Sequence, residues 1–184
     1  MEFSSRLASL SFAVMLGLSA ASSFAQVAVG NSSIPTSRDI VDNVVNSREH
    51  TTLVAALKAA GLVGTLKGAG PFTVFAPTNA AFAALPAGTV DTLMKPENKG
   101  MLTGVLTYHV VPGKVDSAAL TKMIMDGKGS TTFKTVAGGM LTAKSVGGRL
   151  VITDEKGGSS TVTIADVYQS NGVIHVVDKV LLPK

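Results

Sequence analysis

The sequence predicts an α+β fold, and three observations predict it. Helical periodicity dominates the stretch from Asp39 to Ile124. One segment rich in β-branched and aromatic residues, Phe72 to Ala76, interrupts it. From Ser130 onward the chain breaks into short strand-like segments separated by paired glycines. Helices first, one early strand, then a strand-rich second half is the pattern of segregated rather than alternating elements. The chain has 184 residues, 46% of them hydrophobic and 15% charged. That suits one domain with a large core and argues against disorder.

The N-terminus reads as a signal peptide over residues 1–25. Met1 to Arg6 carries a positive charge, Leu7 to Ala20 is apolar or small, and Ser23-Phe24-Ala25 supplies small residues for cleavage after Ala25. The apolar run falls short of the roughly 20 residues that a membrane span needs. Export to the periplasm or the exterior follows, with membrane association only indirect. Residues 26–37, polar and punctuated by Gly30 and Pro35, read as a flexible leader, and 38–184 as the folded domain. Exported domains often carry disulfides. This chain has no Cys, so its stability rests on its core.

The elements follow in order. Ile40, Val41, Val44 and Val45 give a first helix. A second starts near His50 or Thr51, with Leu53, Val54, Leu57 and Ala60 inward and Gly61 as its stop. Leu62 to Leu66 adds a short turn of helix. Phe72 to Ala76 is a strand that Pro77 ends. Thr78 or Asn79 caps a helix over Ala80 to Leu85. Thr89 to Met94 is another short helix. Pro96 and Glu97 open one more, with Met101, Leu102, Val105 and Leu106 as its apolar face.

Pro112 biases the chain before it to extended backbone, so His109 to Val111 reads as a strand. Pro112-Gly113 is a turn. Asp116 or Ser117 caps a helix with Leu120, Met123 and Ile124 inward. Strands are expected over 131–136, 140–145, 149–153, 161–166 and 173–182. Asn171-Gly172 signals a hairpin, since both residues tolerate positive φ.

The chemistry of catalysis finds no foothold. There is no thiol nucleophile, no Gly-x-Ser-x-Gly elbow and no His-Glu-x-x-His helix. His50, His109 and His175 lack metal-ligand spacing. No catalytic residue, metal or cofactor is therefore assigned. The formal charge is +4, but the basic residues form no run and do not interleave with aromatics, which argues against nucleic acid.

Two segments and a pair carry more information. Thr73-Val-Phe-Ala-Pro-Thr-Asn-Ala-Ala-Phe82 and Asn171-Gly-Val-Ile-His-Val-Val-Asp-Lys-Val-Leu-Leu-Pro183 resemble the two signature boxes of the fasciclin (FAS1, beta-Ig-H3) family, and Tyr108-His109 resembles its tyrosine-histidine pair. The resemblance runs from about Asp39 to Pro183. It implies a FAS1-like β-wedge or sandwich with several helices packed on it. It also implies non-enzymatic cell adhesion or matrix contact, through a cell-surface or matrix protein or glycan. Integrin contact in animal members maps here onto Tyr108 and His109, and onto Asp166-Val167, with Val167 in place of Ile.

Read as physics, the same residues look structural. Thr73 and Phe75 belong to the strand that Pro77 ends, and Thr78 and Asn79 to a cap and turn. Phe75 and Phe82 are core candidates, and Asn171 and Gly172 serve the hairpin. His175 lies in an apolar strand and reads as a neutral, hydrogen-bonded core histidine. His109 with Tyr108 reads as a buried polar pair. Asp166 is either a surface contact or a strand-end turn residue. The expected function is a secreted adhesion or surface-interaction module, with self-association as a route to bridging. The alternative is a soluble exported binding protein for a small apolar or glycan ligand.

Overall fold

The computed structural model describes residues 37–68 and 70–184, together with the backbone of residues 26–29 and 32–35. The expected signal peptide lies outside the described residues. Within the expected leader, β1 (Gln26–Val29) and β2 (Ser32–Pro35) pair antiparallel as a separate two-stranded sheet. No helix among the described residues is long and apolar enough to cross a membrane.

The helical half begins with α1 (Ile40–Val45), where the Asp39 carboxylate accepts the Asp42 N–H at 2.8 Å. A single 3-10 turn, Arg48–His50, leads into α2 (Thr51–Ala60), which Gly61 ends in the left-handed region at φ +74°. After α3 (Val63–Leu66) comes the strand β3 (Phe72–Pro77). The Thr78 hydroxyl caps α4 (Asn79–Ala83) by accepting the Ala81 N–H. The helices α5 (Thr89–Met94) and α6 (Lys99–Tyr108) follow, joined by a 3-10 turn at Pro96–Asn98. After β4 (Val110–Pro112), the Asp116 carboxylate caps α7 (Ser117–Asp126) through the Ala119 N–H at 2.8 Å. The strands β5 (Ser130–Lys134), β6 (Met140–Val146), β7 (Arg149–Thr153), β8 (Ser159–Gln169) and β9 (Gly172–Val177) complete the chain.

Several expectations need correction. Met101 and Met123 are 61% and 42% exposed. The apolar stripes are narrower than expected: Leu102, Val105 and Leu106 on α6, and Leu120 and Ile124 on α7. Each exposed Met lies about 100° around the helix from its buried neighbour. The helix after Thr78 stops at Ala83, before Leu85. His109 is not extended: at φ −83° and ψ −2° it closes α6, because Pro112 restricts only the residue directly before it. The last strand ends at Val177, not Leu182. There the Asp178 side chain takes over the Thr161 N–H at 2.7 Å.

Among the described residues, seven strands form one sheet in the order β4-β3-β9-β8-β7-β6-β5. The β3–β9 pair is parallel and the other pairs are antiparallel. The β8–β9 hairpin exists as expected, but its turn is Ser170-Asn171, enclosed by the Gln169–Gly172 pair. Neither Asn171 nor Gly172 has positive φ. Gly172 is required for another reason: a Cβ there would lie 2.0 Å from the Phe72 carbonyl oxygen.

The sheet has two faces and two cores. On the first face Val74, Ala76, Ile174 and Val176 meet Leu53, Leu57, Leu102 and Leu106 of the helices. On the second, Phe75, Val177, Phe133, Leu141 and Ile152 lie under Leu120 and Ile124 of α7. Phe75 and Phe82 are both core, as expected, but Phe82 belongs to the first cluster and Phe75 to the second.

Candidate functional site

Tyr108 and His109 end α6, where the helix delivers one side chain to the β-rich half and the other to the C-terminal segment. The Tyr108 hydroxyl donates to the Met140 carbonyl at 2.7 Å and accepts the Glu155 N–H at 3.1 Å. Its ring fills the space over Gly139, where a Cβ would lie 2.6 Å from the ring. His109 engages both ring nitrogens: Nδ1 donates to the Val105 carbonyl at 2.8 Å, and Nε2 accepts the Leu181 N–H at 2.9 Å. That pattern requires the neutral ring with its proton on Nδ1. Burial pushes its pKa down from 6.5 to about 4, with the Val105 carbonyl opposing. Both residues are buried, so a partner would have to displace these bonds to touch them.

His175 sits in the centre of β9, fully buried and stacked on Phe75 with 5.6 Å between ring centroids. Its Nε2 donates to the Val115 carbonyl at 2.8 Å, and its Nδ1 accepts the Asp166 N–H at 3.4 Å. Burial lowers its pKa, opposed by the Val115 carbonyl and by the charges of Asp166 and Asp116.

Asp166 lies where β8 shifts register, at φ +60°. Asp tolerates that left-handed backbone better than most residues. Its Oδ1 accepts the Ser117 N–H at 2.6 Å, and its Oδ2 accepts the Ser117 hydroxyl. A carboxylate at the first turn of α7 also suits the helix dipole. Val167, beside it, is fully buried.

Ser117, His175 and Asp166 therefore meet, as the three residue types of a hydrolase triad do. Their wiring is different. Nucleophilic catalysis needs the serine hydroxyl to donate to the imidazole and the imidazole to the carboxylate. Here the hydroxyl donates to the carboxylate directly, and the imidazole donates to a backbone carbonyl. The serine is held, not activated.

The signature residues are joints between elements. Thr73 donates to the Gly113 carbonyl at 2.7 Å and accepts the Val115 N–H at 2.8 Å, fastening β3 to the loop before α7. Pro77 closes β3 opposite Val177. Asn79 accepts the Thr52 N–H at 3.0 Å and donates to the Arg48 carbonyl at 2.9 Å, so it caps α2 from a distance. Asn171 accepts the Ile40 N–H at 3.0 Å and donates to the Leu66 carbonyl at 2.8 Å, tying the hairpin to α1 and α3.

Sequence reasoning missed some polar pairs. Asn43 donates to Gln169 inside the first core, and its only signal was a polar residue in the stripe of Ile40, Val41 and Val44. His50 is buried against the Ser47 hydroxyl at 2.8 Å. Lys114 lies over the Tyr168 ring, 4.8 Å from its centroid, and lines an open cleft of about 400 Å³ with Pro71, Ser170 and Asn171. Among the described residues no group of three or more His, Cys, Asp or Glu could hold a metal ion.

Comparison with known proteins agrees with this geometry. The Fasciclin domain model matches residues 48–183. Protein sll1483 of Synechocystis is 50% identical over 144 residues, covering 78% of this chain and 73% of that protein. The immunogenic protein MPB70 of Mycobacterium bovis is 38% identical over 143 residues, covering 75% of this chain and 65% of the relative. Among solved structures, a FAS1 domain pair from the insect cell adhesion molecule Fasciclin I superimposes with a TM-score of 0.70 at 19% identity, covering 85% of this chain and 57% of the other. The α+β wedge with packed helices is thus the FAS1 fold, and the chain belongs to the fasciclin domain family.

Proposed function

We propose that this chain is an exported surface-interaction module that acts by non-covalent binding to a cell-surface or matrix component. One observation carries the reading: the polar signature residues are consumed by internal bonds, leaving a rigid scaffold whose outer surface is free to engage a partner. Ser117, His175 and Asp166 supply no activated nucleophile. The insect relative of the same fold is a cell adhesion molecule, which supports contact as the role. Partner contact belongs on the outer surface, since Tyr108, His109 and Val167 are buried and Asp166 is engaged by Ser117.

The interior supports a binder of surfaces over a carrier of small apolar ligands. An apolar pocket between Leu62, Leu66, Phe72 and Val136 holds about 20 Å³, far below the several hundred that a ligand site needs. Bridging two surfaces with one module requires two binding faces or self-association. The test combines capture of the tagged chain on host-cell surface material with sedimentation of the pure protein. Saturable capture supports the proposal. A strict monomer that binds no surface material refutes it.

A further inference from the structure

The first face of the sheet is covered by helices over β4, β3 and β9. Over β5, β6 and β7 the same face is open. Strand register sets which residues it presents. Phe133, Leu141, Ala143 and Ile152 point to the second core, so their neighbours point out. Thr132 pairs with Thr142, Thr142 with Thr153, and Thr153 with Ser159. This gives one straight row of hydroxyls across four strands. Lys134, Lys144 and Arg149 flank it, all exposed and all on the same face.

No Asp or Glu occupies an outward position of β5, β6 or β7. None of the three cations forms an ion pair among the described residues, where the recorded pairs join Lys67 to Asp39 and Asp42. Glu155, at the β7–β8 turn, is turned to the Met140 N–H at 3.0 Å. The register places the cations on a diagonal track. Lys134 and Lys144 are roughly 14 Å apart at Cα, and Lys144 and Arg149 roughly 8 Å, from ordinary strand spacings. The hydroxyl row crosses that track.

We propose that this open face binds an extended anionic polysaccharide, with Lys134, Lys144 and Arg149 pairing its carboxylate or sulfate groups and Thr132, Thr142 and Thr153 bonding its hydroxyls. It rests on the module reading above and names the partner class. The chemistry selects among polyanions. The face carries no aromatic ring, which nucleic-acid bases would stack on. Its exposed apolar residues, Met140 and Val146, lie apart at the two ends of β6, and it presents no Trp, Phe or Leu of the kind that anchors a membrane surface. A row of neutral hydroxyls between spaced cations matches a polymer that alternates charge with hydroxyl.

Size-defined heparin and polygalacturonate are the probes, with neutral dextran, phosphatidylserine vesicles and duplex DNA as comparisons. Calorimetry is run on the full chain at low and raised salt. The expected result is saturable binding to at least one of the two polysaccharides that weakens by about tenfold or more as salt rises, because counterions are released. K134Q/K144Q/R149Q should bind at least about tenfold more weakly, and K58Q/K95Q/K122Q, which removes the same charge elsewhere, within about twofold of the parent. T132V/T142V/T153V should lose several-fold with melting retained. Equal loss in both charge triples, no binding to either polysaccharide, or tighter binding to vesicles or DNA overturns the proposal. Host-surface capture separates the two readings. Equal capture of parent and K134Q/K144Q/R149Q leaves the module standing and removes this face from it, whereas absence of capture removes this face and, for a strictly monomeric chain, the module reading with it.

Discussion

One face of a single sheet is treated in two opposite ways. Over β3 and β9 it carries Val74, Ala76, Ile174 and Val176, all buried under helices. Over β5 to β7 it carries Thr132, Thr142, Thr153, Lys134, Lys144 and Arg149 with Met140, Val146 and Val151 between them, and no helix among the described residues covers it. Side-chain chemistry separates the two: an unbroken apolar row becomes core, and a mostly polar one stays at the surface. Apolar residues at alternate positions demand a helical layer, since each buried side chain contributes about 1.5–3 kcal/mol. Hydroxyls and cations at the equivalent positions keep that layer away. The covered half is the packed core, and the bare half is the face proposed above for a partner.

The joint between the covered strands is the most sensitive place. Gly172→Ala drives a Cβ into the Phe72 carbonyl, 2.0 Å away, in the parallel β3–β9 ladder. A loss of more than about 4 kcal/mol, or failure to fold, is expected. Denaturant midpoints and soluble yield measure it, and a near-normal midpoint would show that the two strands can separate freely.

Acid acts next. His109 is neutral and buried, with a folded-state pKa of about 4 against an ordinary 6.5. The unfolded chain therefore takes up a proton at a higher pH than the folded one. The contribution of His109 is complete above pH 6.5 and is lost as pH falls to about 4, on the order of 3 kcal/mol at the low end. His175 and His50 are shifted in the same direction by burial. Melting temperature should drop across this window, and His109→Gln should flatten the drop while lowering the plateau at neutral pH. A pH-independent melting curve would contradict it.

A reciprocal exchange addresses the two halves directly. Val74→Thr places a hydroxyl in the helix-covered half and should cost about 2 kcal/mol. Thr142→Val in the open half should change stability by less than about 0.5 kcal/mol. Equal costs in the two denaturation curves would mean that both halves are packed alike.

Much of this was legible in the sequence. The helix caps at Thr78 and Asp116, each one of two residues the sequence offered, the Gly61 stop and the strand-rich second half follow from local chemistry that acts within a few residues. The burial of His175 follows from an apolar strand around it. What stayed hidden depends on distant partners. Asn171 reads as a turn residue, yet its amide ties together α1 and α3, which no local pattern reveals. Gly172 reads as a positive-φ residue, yet it is required by a strand 100 positions away in the register Phe72–Gly172. The bare face was hidden too, because alternation of Thr with Leu or Ala shows that one side is solvated but not which strands share that side.

The parallel partnership of β3 and β9 has a consequence in time. Of the seven strands, β9, which stands between β3 and β8, is the last in the sequence. Until residue 177 has been synthesised, β3 and β8 have no strand to stand between them, and neither core can close. Helices α1 to α6 can form locally on the nascent chain, but they have only half a floor to pack on. Both cores are therefore completed only once β9, which contributes Ile174 and Val176 to one and Val177 to the other, has paired with β3. That delay is long-range topology acting as a clock, since non-local pairing is slow to form.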